Sequence, residues 1–294
     1  MAACTAPPAD PGLKEAMLIT FDSFPSRHVD ARRVDVWLPA GYAKNAAGHF
    51  AVLYMHDGQN LFDSTLAFGH AEWKIDEVAS RMLGADSLRP FIVVGVWNTP
   101  KRFREYAPAK PFEDTPVSYQ ERLGAERGKG ALADAYLLFL TRELKPFIDS
   151  VYGCSRRRDD TYVMGSSMGG LVSLYAVLEY PDVFAGAGCV STHWPLSLNQ
   201  NDTVFSRAMG RYLQSKLPEA GNPKLYFDHG TVALDSLYPP HQMYIDSLLR
   251  ALAYPAERWT SRKFVGESHT ESSWAKRVHE PLYFLLQKQP ASQQ

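Results

Sequence analysis

The 294-residue chain carries 45% hydrophobic and 21% charged residues, enough apolar content to bury one sizeable core, and α/β domains reach this length without splitting. Its formal net charge of −1 offers no field for steering polyanions, and no run of like charges marks a nucleic-acid or membrane patch. The three cysteines, Cys4, Cys154 and Cys189, form no CxxC pair and no Cys/His cluster, so neither a disulfide framework nor a structural metal is expected, and no stretch reaches the roughly 18 apolar residues of a membrane span.

The opening MAACTAPPADPG is rich in small residues and proline, and residues 1–14 are expected to be disordered. They fit either the stump of an export signal, with Cys4 near a lipid-attachment position, or an ordinary frayed terminus. Exported and cytoplasmic locations therefore both stand. Residues 15–288 read as one catalytic domain and 289–294 as a frayed end. Through that domain short β-rich runs alternate with helical patterns, which predicts an α/β fold with a mostly parallel central sheet and helices on both faces. Arg33 to Leu38 alternates in polarity and reads as an antiparallel edge strand. Phe50 to Met55, Phe91 to Val96 and Thr161 to Met164 are nearly continuous apolar runs, as expected of strands buried on both faces; Phe184 to Val190, Lys224 to Phe227 and Trp259 to Val265 complete the series.

Leu140, Leu144, Phe147, Ile148 and Val151 share a helix face, as do Leu171, Leu174, Tyr175 and Leu178. Pro146 predicts a kink in the first of these helices, and Pro281 a bend in a last helix near Ser272 to Gln287. Two stretches resist the alternation. Residues 102–130 are polar and proline-containing, and so long a connection suggests a lid or binding loop. Residues 196–222, with a helical portion around Arg207 to Leu217, suggest the other wall of a cleft.

The sharpest chemical signal is GSSMG, Gly165 to Gly169, between the run TYVM and an amphipathic helix. A nucleophile elbow needs this context: a tight strand-to-helix turn, glycines where side chains would clash, and a serine thrust out above the sheet. Ser167 is the expected nucleophile, and Ser166 packs beneath the turn. The N–H of Met168, at a helix start, suits a developing oxyanion. A second donor is expected from HDGQNLFD after the first central strand, where Gly58 permits close approach and the N–H of Gln59 is favoured. His56, Asp57 and Asn60 read as residues that shape this loop.

A serine hydroxyl needs a base, which this fold delivers from a loop after its last strand. Of nine histidines, His269 in GESHTESSW satisfies both that location and the chain order Ser, acid, His. His279 falls inside the final helix. His193, after a strand end, reads either as a pocket-lining residue or as a hydrogen-bonded loop histidine. The acid belongs after KLYF, where Asp228, Asp235 and Asp246 compete. Asp235, in the loop of HGTVALDSLY, is preferred to Asp228 at the strand end and to Asp246 in a helical pattern. Trp194 and Trp274 suggest an aromatic pocket wall for an aryl or extended acyl group, or core packing.

The segments RRVDVWLPAGY (32–42), VLYMHDGQNLFD (52–63), VVGVWNTPKRFREYAP (93–108), ELKPFID (143–149), GSSMGGLVSLYAVLEYPDVF (165–184), FDHGTVALD (227–235) and GESHTESSW (266–274) together resemble the putative-esterase family of α/β-hydrolases. That family includes siderophore trilactone esterases, feruloyl and acetyl-xylan esterases, S-formylglutathione hydrolase and mycolyltransferases. The resemblance implies an α/β-hydrolase fold and a cofactor-free acyl-enzyme mechanism on a small-molecule ester. It implies Ser167 as nucleophile, His269 as base, Asp235 as acid, and the N–H groups of Gln59 and Met168 as the oxyanion hole. Arg102, Glu105 and Tyr106 match a family RxxEY segment beside the cleft, where Arg102 could bind substrate or hold the loop by an internal ion pair. Acyl transfer to another alcohol, and a non-catalytic binding module on the same fold, are the alternatives. The natural ester and the oligomeric state are not legible in the sequence.

Overall fold

The computed structural model describes residues 12–44 and 50–288. Cys4, most of the proline-rich N-terminal segment and residues 289–294 lie outside the described residues. Leu13 exchanges backbone hydrogen bonds with the 41–42 turn, from its N–H to the Tyr42 carbonyl at 2.8 Å and from Gly41 N–H to its own carbonyl at 2.7 Å.

Eight strands form one sheet: β1 (Met17–Phe24), β2 (Arg32–Leu38), β3 (Ala51–His56), β4 (Phe91–Val96), β5 (Thr161–Ser166), β6 (Gly186–Val190), β7 (Lys224–His229) and β8 (Trp259–Lys263). Their spatial order is β1-β2-β4-β3-β5-β6-β7-β8. β2 is antiparallel to both β1 and β4, and every other pairing is parallel. The expected edge strand is thus an interior one, because β1 takes the edge. β1 escapes a reading of apolar runs because it is half exposed, with Leu18 facing solvent and mixed polarity along its length.

The continuous apolar runs have the cause expected of them. Along β3, Val52 and Tyr54 enter the core on one face of the sheet, while Ala51, Leu53 and Met55 enter the other. Each buried side chain of Val, Leu or Phe size contributes about 1.5–3 kcal/mol relative to exposure. Both faces are covered by helices: α1 (Ile75–Gly84), α2 (Arg102–Glu105), α3 (Ala109–Glu113), α4 (Val117–Arg127), α5 (Ala133–Leu138), α6 (Lys145–Val151), α7 (Met168–Glu179), α8 (Val204–Lys216), α9 (Pro239–Ala251), α10 (Glu271–Arg277) and α11 (His279–Leu286).

Both prolines leave marks, displaced from where they sit. Residues Phe139–Leu144 join α5 to α6 as a π-helical segment, with Lys145 N–H bonded to the Leu140 carbonyl. Pro146 cannot donate to residue 142, and the wider turn just before it absorbs the missing bond. Pro281 likewise removes the bond to Arg277, and the final helix divides at Val278 into α10 and α11.

The 102–130 stretch is not an open loop. It folds as α2, α3 and α4, anchored by Tyr106, Phe112, Tyr119 and Leu123, all buried in the main core. The 196–222 stretch contributes α8, whose Phe205, Met209 and Leu213 join the same core. In the 102–130 stretch polar surface residues conceal the anchors because α2 and α3 are only four and five residues long.

Candidate active site

Sheet register decides which loops meet. Ser166 pairs with Val190, Val190 with Asp228, and Asp228 with Arg262, so the chain leaves β5, β6, β7 and β8 from one row at the carboxyl edge. In open α/β sheets this edge is where ligands bind.

Ser167 stands between β5 and α7 with φ 58° and ψ −120°, a backbone region costly for any residue with a side chain, of order 1–3 kcal/mol. Surrounding bonds hold it there. Its N–H donates to the Val190 carbonyl at 2.9 Å, and its carbonyl accepts from His193 N–H at 3.1 Å and Gly170 N–H at 3.0 Å. A Cβ on Gly165 would lie 3.0 Å from both Gly169 Cα and His56 Cδ2, so the turn admits only glycine there without displacement. Met168 opens α7, and an N–H in that position has no carbonyl partner within the helix. Ser166 is buried at the end of β5.

His269 lies in the loop between β8 and α10, and its Nδ1 is 2.6 Å from Asp235 Oδ1. A carboxylate only accepts, so Nδ1 carries the proton and Nε2 is left as the basic nitrogen. Asp235 has no exposed surface. Its other oxygen, Oδ2, accepts from Ser191 Oγ and from Gly230 N–H, each at 2.6 Å. Burial pushes its carboxyl up, but the bonds from His269, Ser191 and Gly230 outweigh that and hold it below the ordinary aspartate value. Asp228 is committed elsewhere: it takes Arg277 Nη2 at 3.1 Å and Nε at 3.3 Å, Ser191 N–H at 3.1 Å and the Tyr226 hydroxyl at 2.9 Å. Asp246 sits within α9, bonded by Gln242. Of the three carboxylates, Asp235 is the one paired with His269. His279 lies on α11, half exposed beside Glu280.

The loop after β3 is rigid for reasons legible in its contacts. Arg102 grips Asp57 at two points, Nε to Oδ1 at 2.7 Å and Nη2 to Oδ2 at 2.6 Å. Asn98 Nδ2 donates to Asp57 Oδ1 at 2.6 Å, and Asn98 N–H reaches Gln59 Oε1 at 3.3 Å. Asp57 N–H donates to the Tyr106 hydroxyl, and His56 Nδ1 shares a 2.8 Å hydrogen bond with the Tyr136 hydroxyl. Asn60 Nδ2 donates to Glu271 Oε1 at 3.2 Å, joining this loop to the His269 side. Glu105 is occupied by a buried two-point pair with Arg32 at 2.7 and 3.0 Å. Arg102 therefore serves as a loop clamp here, its guanidinium 5.2 Å over the Tyr106 ring.

The structure buries both tryptophans considered for an aromatic wall. Trp194 is 1% exposed, packs on Phe227 and donates Nε1–H to Gln242, so it belongs to the core and forms no wall. Trp274 is buried edge-on against His269, ring centres 5.0 Å apart, with its Nε1–H on Ser191 Oγ at 3.0 Å. His193 is 1% exposed; its Nδ1 shares a 2.8 Å hydrogen bond with the Tyr238 hydroxyl, and the Tyr238 ring touches His269 at 5.6 Å. Its burial and hydrogen bond match the second of its two readings, a hydrogen-bonded loop histidine. Sequence reasoning missed Ser191, Arg277 and Tyr238, since a serine after a strand and an arginine in a helix carry no signal until the fold buries them together. Among the described residues no group of three or more His, Cys, Asp or Glu is placed to hold a metal, and no helix is long and apolar enough to cross a membrane. Cys154 and Cys189 are buried free thiols.

Comparison with known proteins adds the lineage. The protein YbbA of Bacillus subtilis, itself uncharacterised, is 25% identical over 166 residues, 55% of this chain and 58% of its own. Ferri-bacillibactin esterase BesA of the same organism is 26% identical over 183 residues, covering 57% of this chain and 55% of BesA. The chain thus matches less than two thirds of the length of either relative. The crystal structure of the enterobactin esterase FES from Shigella flexneri superposes with a TM-score of 0.65 at 19% identity, over 95% of this chain and 60% of that one, a likeness of α/β-hydrolase fold. The Putative esterase family model matches residues 27–279, and the chain belongs to that family.

Proposed function

We propose that the chain is a serine carboxylic ester hydrolase with Ser167 as nucleophile, His269 as general base and Asp235 as the orienting acid. The observation that carries this reading is that one sheet edge carries both a strained, glycine-flanked serine and a histidine whose Nδ1 is bound to a buried carboxylate. Strain of this kind persists where the surroundings over-determine it, and it gathers at reacting groups.

In this mechanism His269 Nε2 takes the Ser167 proton as Oγ attacks the ester carbonyl. The N–H groups of Gln59 and Met168 receive the developing oxyanion, and His269 returns the proton to the departing alcohol. Water, deprotonated by the same nitrogen, then releases the acid and regenerates Ser167. Asp235 stays ionised throughout and stabilises the imidazolium. Arg102, Trp274 and His193 act by holding the oxyanion loop, the imidazole and the elbow; Trp194 acts only through the core.

The substrate is a small-molecule ester with a bulky, partly apolar portion. Leu66, Phe68, Leu198, Val232, Leu237 and Val265 are exposed large apolar side chains, all on segments that leave the carboxyl edge of the sheet. They suit an aryl-bearing ester, and an aryl compound, 2,3-di-hydroxy-N-benzoyl-glycine, is present in the FES crystal structure. Replacing Ser167 by Ala should leave the fold intact and abolish labelling by a fluorophosphonate probe together with most turnover of an aryl ester. Unchanged turnover in a clean preparation sinks the assignment. A panel of acetyl, feruloyl, short-chain and trilactone esters, compared by kcat/KM, names the preferred class.

A further inference from the structure

Ser191 follows β6 with φ 41°, a left-handed backbone that a serine adopts only when held there. It has no exposed surface, and both its N–H and its hydroxyl are hydrogen-bonded. Its N–H goes to Asp228 Oδ1 at 3.1 Å. Its Oγ is within hydrogen-bond distance of three groups: Trp274 Nε1 at 3.0 Å, Arg277 Nη2 at 2.8 Å and Asp235 Oδ2 at 2.6 Å.

Counting protons fixes the direction of each bond. Indole and guanidinium nitrogens only donate, so both lone pairs of Ser191 Oγ are filled by Trp274 and Arg277. The single hydroxyl proton has one acceptor left, the Asp235 carboxylate. We infer that Ser191 is a positioning residue for the reaction, a hydroxyl locked by Trp274 and Arg277 so that it donates to Asp235 Oδ2 and turns Oδ1 toward His269. The inference rests on the triad reading above.

Charge supports the same arrangement. Arg277 Nη2 comes within 3.7 Å of Asp235 Oδ2, but its guanidinium is engaged at two points by Asp228. That pairing absorbs the arginine's charge, and the negative charge of Asp235 remains available to an imidazolium at His269. Asp228, the rejected candidate for the acid, thereby acquires a purpose: it keeps Arg277 aimed at Ser191 without letting it neutralise Asp235. Trp274 ties the set together, since the ring that donates to Ser191 also lies edge-on to His269.

The test compares Ser191→Ala, Ser191→Gly and Trp274→Phe with Ser167→Ala in the full chain. Glycine welcomes the left-handed backbone, so Ser191→Gly removes the hydroxyl while relieving strain and guards against loss of the fold. Two readouts are taken: the pH profile of kcat/KM on an aryl ester, and the far-downfield proton resonance of His269 Nδ1–H. A hydrogen bond to a charged group corresponds to a fall of roughly 10- to 100-fold in kcat/KM when its donor is removed, carried mainly by kcat. Without its donor the carboxylate holds the imidazolium more firmly, so the acid limb moves to higher pH in both Ser191 variants. The Nδ1–H resonance shifts with it, and Trp274→Phe moves both in the same direction by less. A merely structural role predicts lost folded protein with an unmoved limb and resonance, and that result overturns the inference. Full turnover by Ser167→Ala would instead overturn the triad reading, while the resonance would still report whether Ser191 orients the pair.

Discussion

Arg102 and Asp57 form a two-point ion pair, at 2.7 and 2.6 Å, between the first turn after β4 and the loop that carries Gln59. Burial pushes the Asp57 carboxyl up, but Arg102 and Asn98 prevail and hold it below its ordinary value. The pair thus joins the segment after β4 to the loop carrying Gln59, the proposed oxyanion donor. Arg102→Met should lower kcat by about tenfold, the scale of a misplaced oxyanion donor being 10²–10³ when lost outright. Lysine should rescue little because it cannot grip both carboxylate oxygens. A rise in KM with kcat untouched would show that Arg102 binds substrate instead.

Asp235→Asn and Asp228→Asn should separate two carboxylates seven positions apart in sequence. An amide at 235 can present its NH2 to the imidazole and favour the wrong tautomer, which in a serine-protease triad costs on the order of 10⁴-fold in kcat. At 228 the change leaves the Arg277 charge buried with one fewer counter-charge, a stability loss of about 3–5 kcal/mol, and loosens the Arg277–Ser191 contact, so turnover falls by roughly the 10- to 100-fold of the Ser191 variants and not by 10⁴-fold. Steady-state kinetics together with urea denaturation reads both outcomes. Equal kinetic losses would refute the division of labour.

The elbow is legible in the chain because its requirements are local: a strand, a serine between glycines, and a helix within some fifteen residues. His269 is legible because the fold prescribes its order and loop. The central strands are legible too, since burial on both faces leaves runs such as FIVVGV with no polar interruption. What escapes depends on packing between distant segments. Trp194 looks like a pocket residue until Phe227 and Gln242 are found around it. Ser191 and Arg277 are 86 positions apart, and nothing in either segment foretells a bond between them. The 102–130 stretch hides its anchors because helices of four to eleven residues leave too few turns to show a period.

His56 and His193 predict a particular acid sensitivity. Burial lowers the pKa of each to about 3, so both stay neutral in the folded chain until the pH falls to that range. An unfolded histidine takes its proton near pH 6.5. Between there and about pH 3 the unfolded state therefore binds more protons than the folded one, and stability falls as pH falls, by up to about 1.4 kcal/mol per pH unit for each histidine. Urea midpoints measured from pH 7 to pH 4 should decline, and His193→Gln should flatten the decline. An unchanged slope in that variant would show that His193 is protonated in the native state.

Gly230 is a glycine whose replacement should act on the reaction through the acid and histidine loops. A Cβ there would lie 2.1 Å from the Glu267 carbonyl oxygen and 2.9 Å from Asp235 Oδ2, far inside the roughly 3.5 Å of ordinary contact. The same Glu267 carbonyl accepts from Thr231 N–H at 2.9 Å and Val232 N–H at 3.1 Å, so the acid loop and the histidine loop are stitched together at this point. Alanine must push them apart, at an overpacking cost of about 1–3 kcal/mol. It must also shift His269 relative to Ser167, and a displacement near 1 Å can cost about 10²-fold in rate. Gly266→Ala is the contrast: its φ of +84° strains a side chain, yet nothing lies within 4 Å of the new atom. It should lose about 1–2 kcal/mol of stability to backbone strain without the hundredfold fall in kcat. Measuring melting temperature and kcat for both variants tests this, and a Gly230→Ala protein that loses stability while retaining kcat would show that the two loops can separate without disturbing the imidazole.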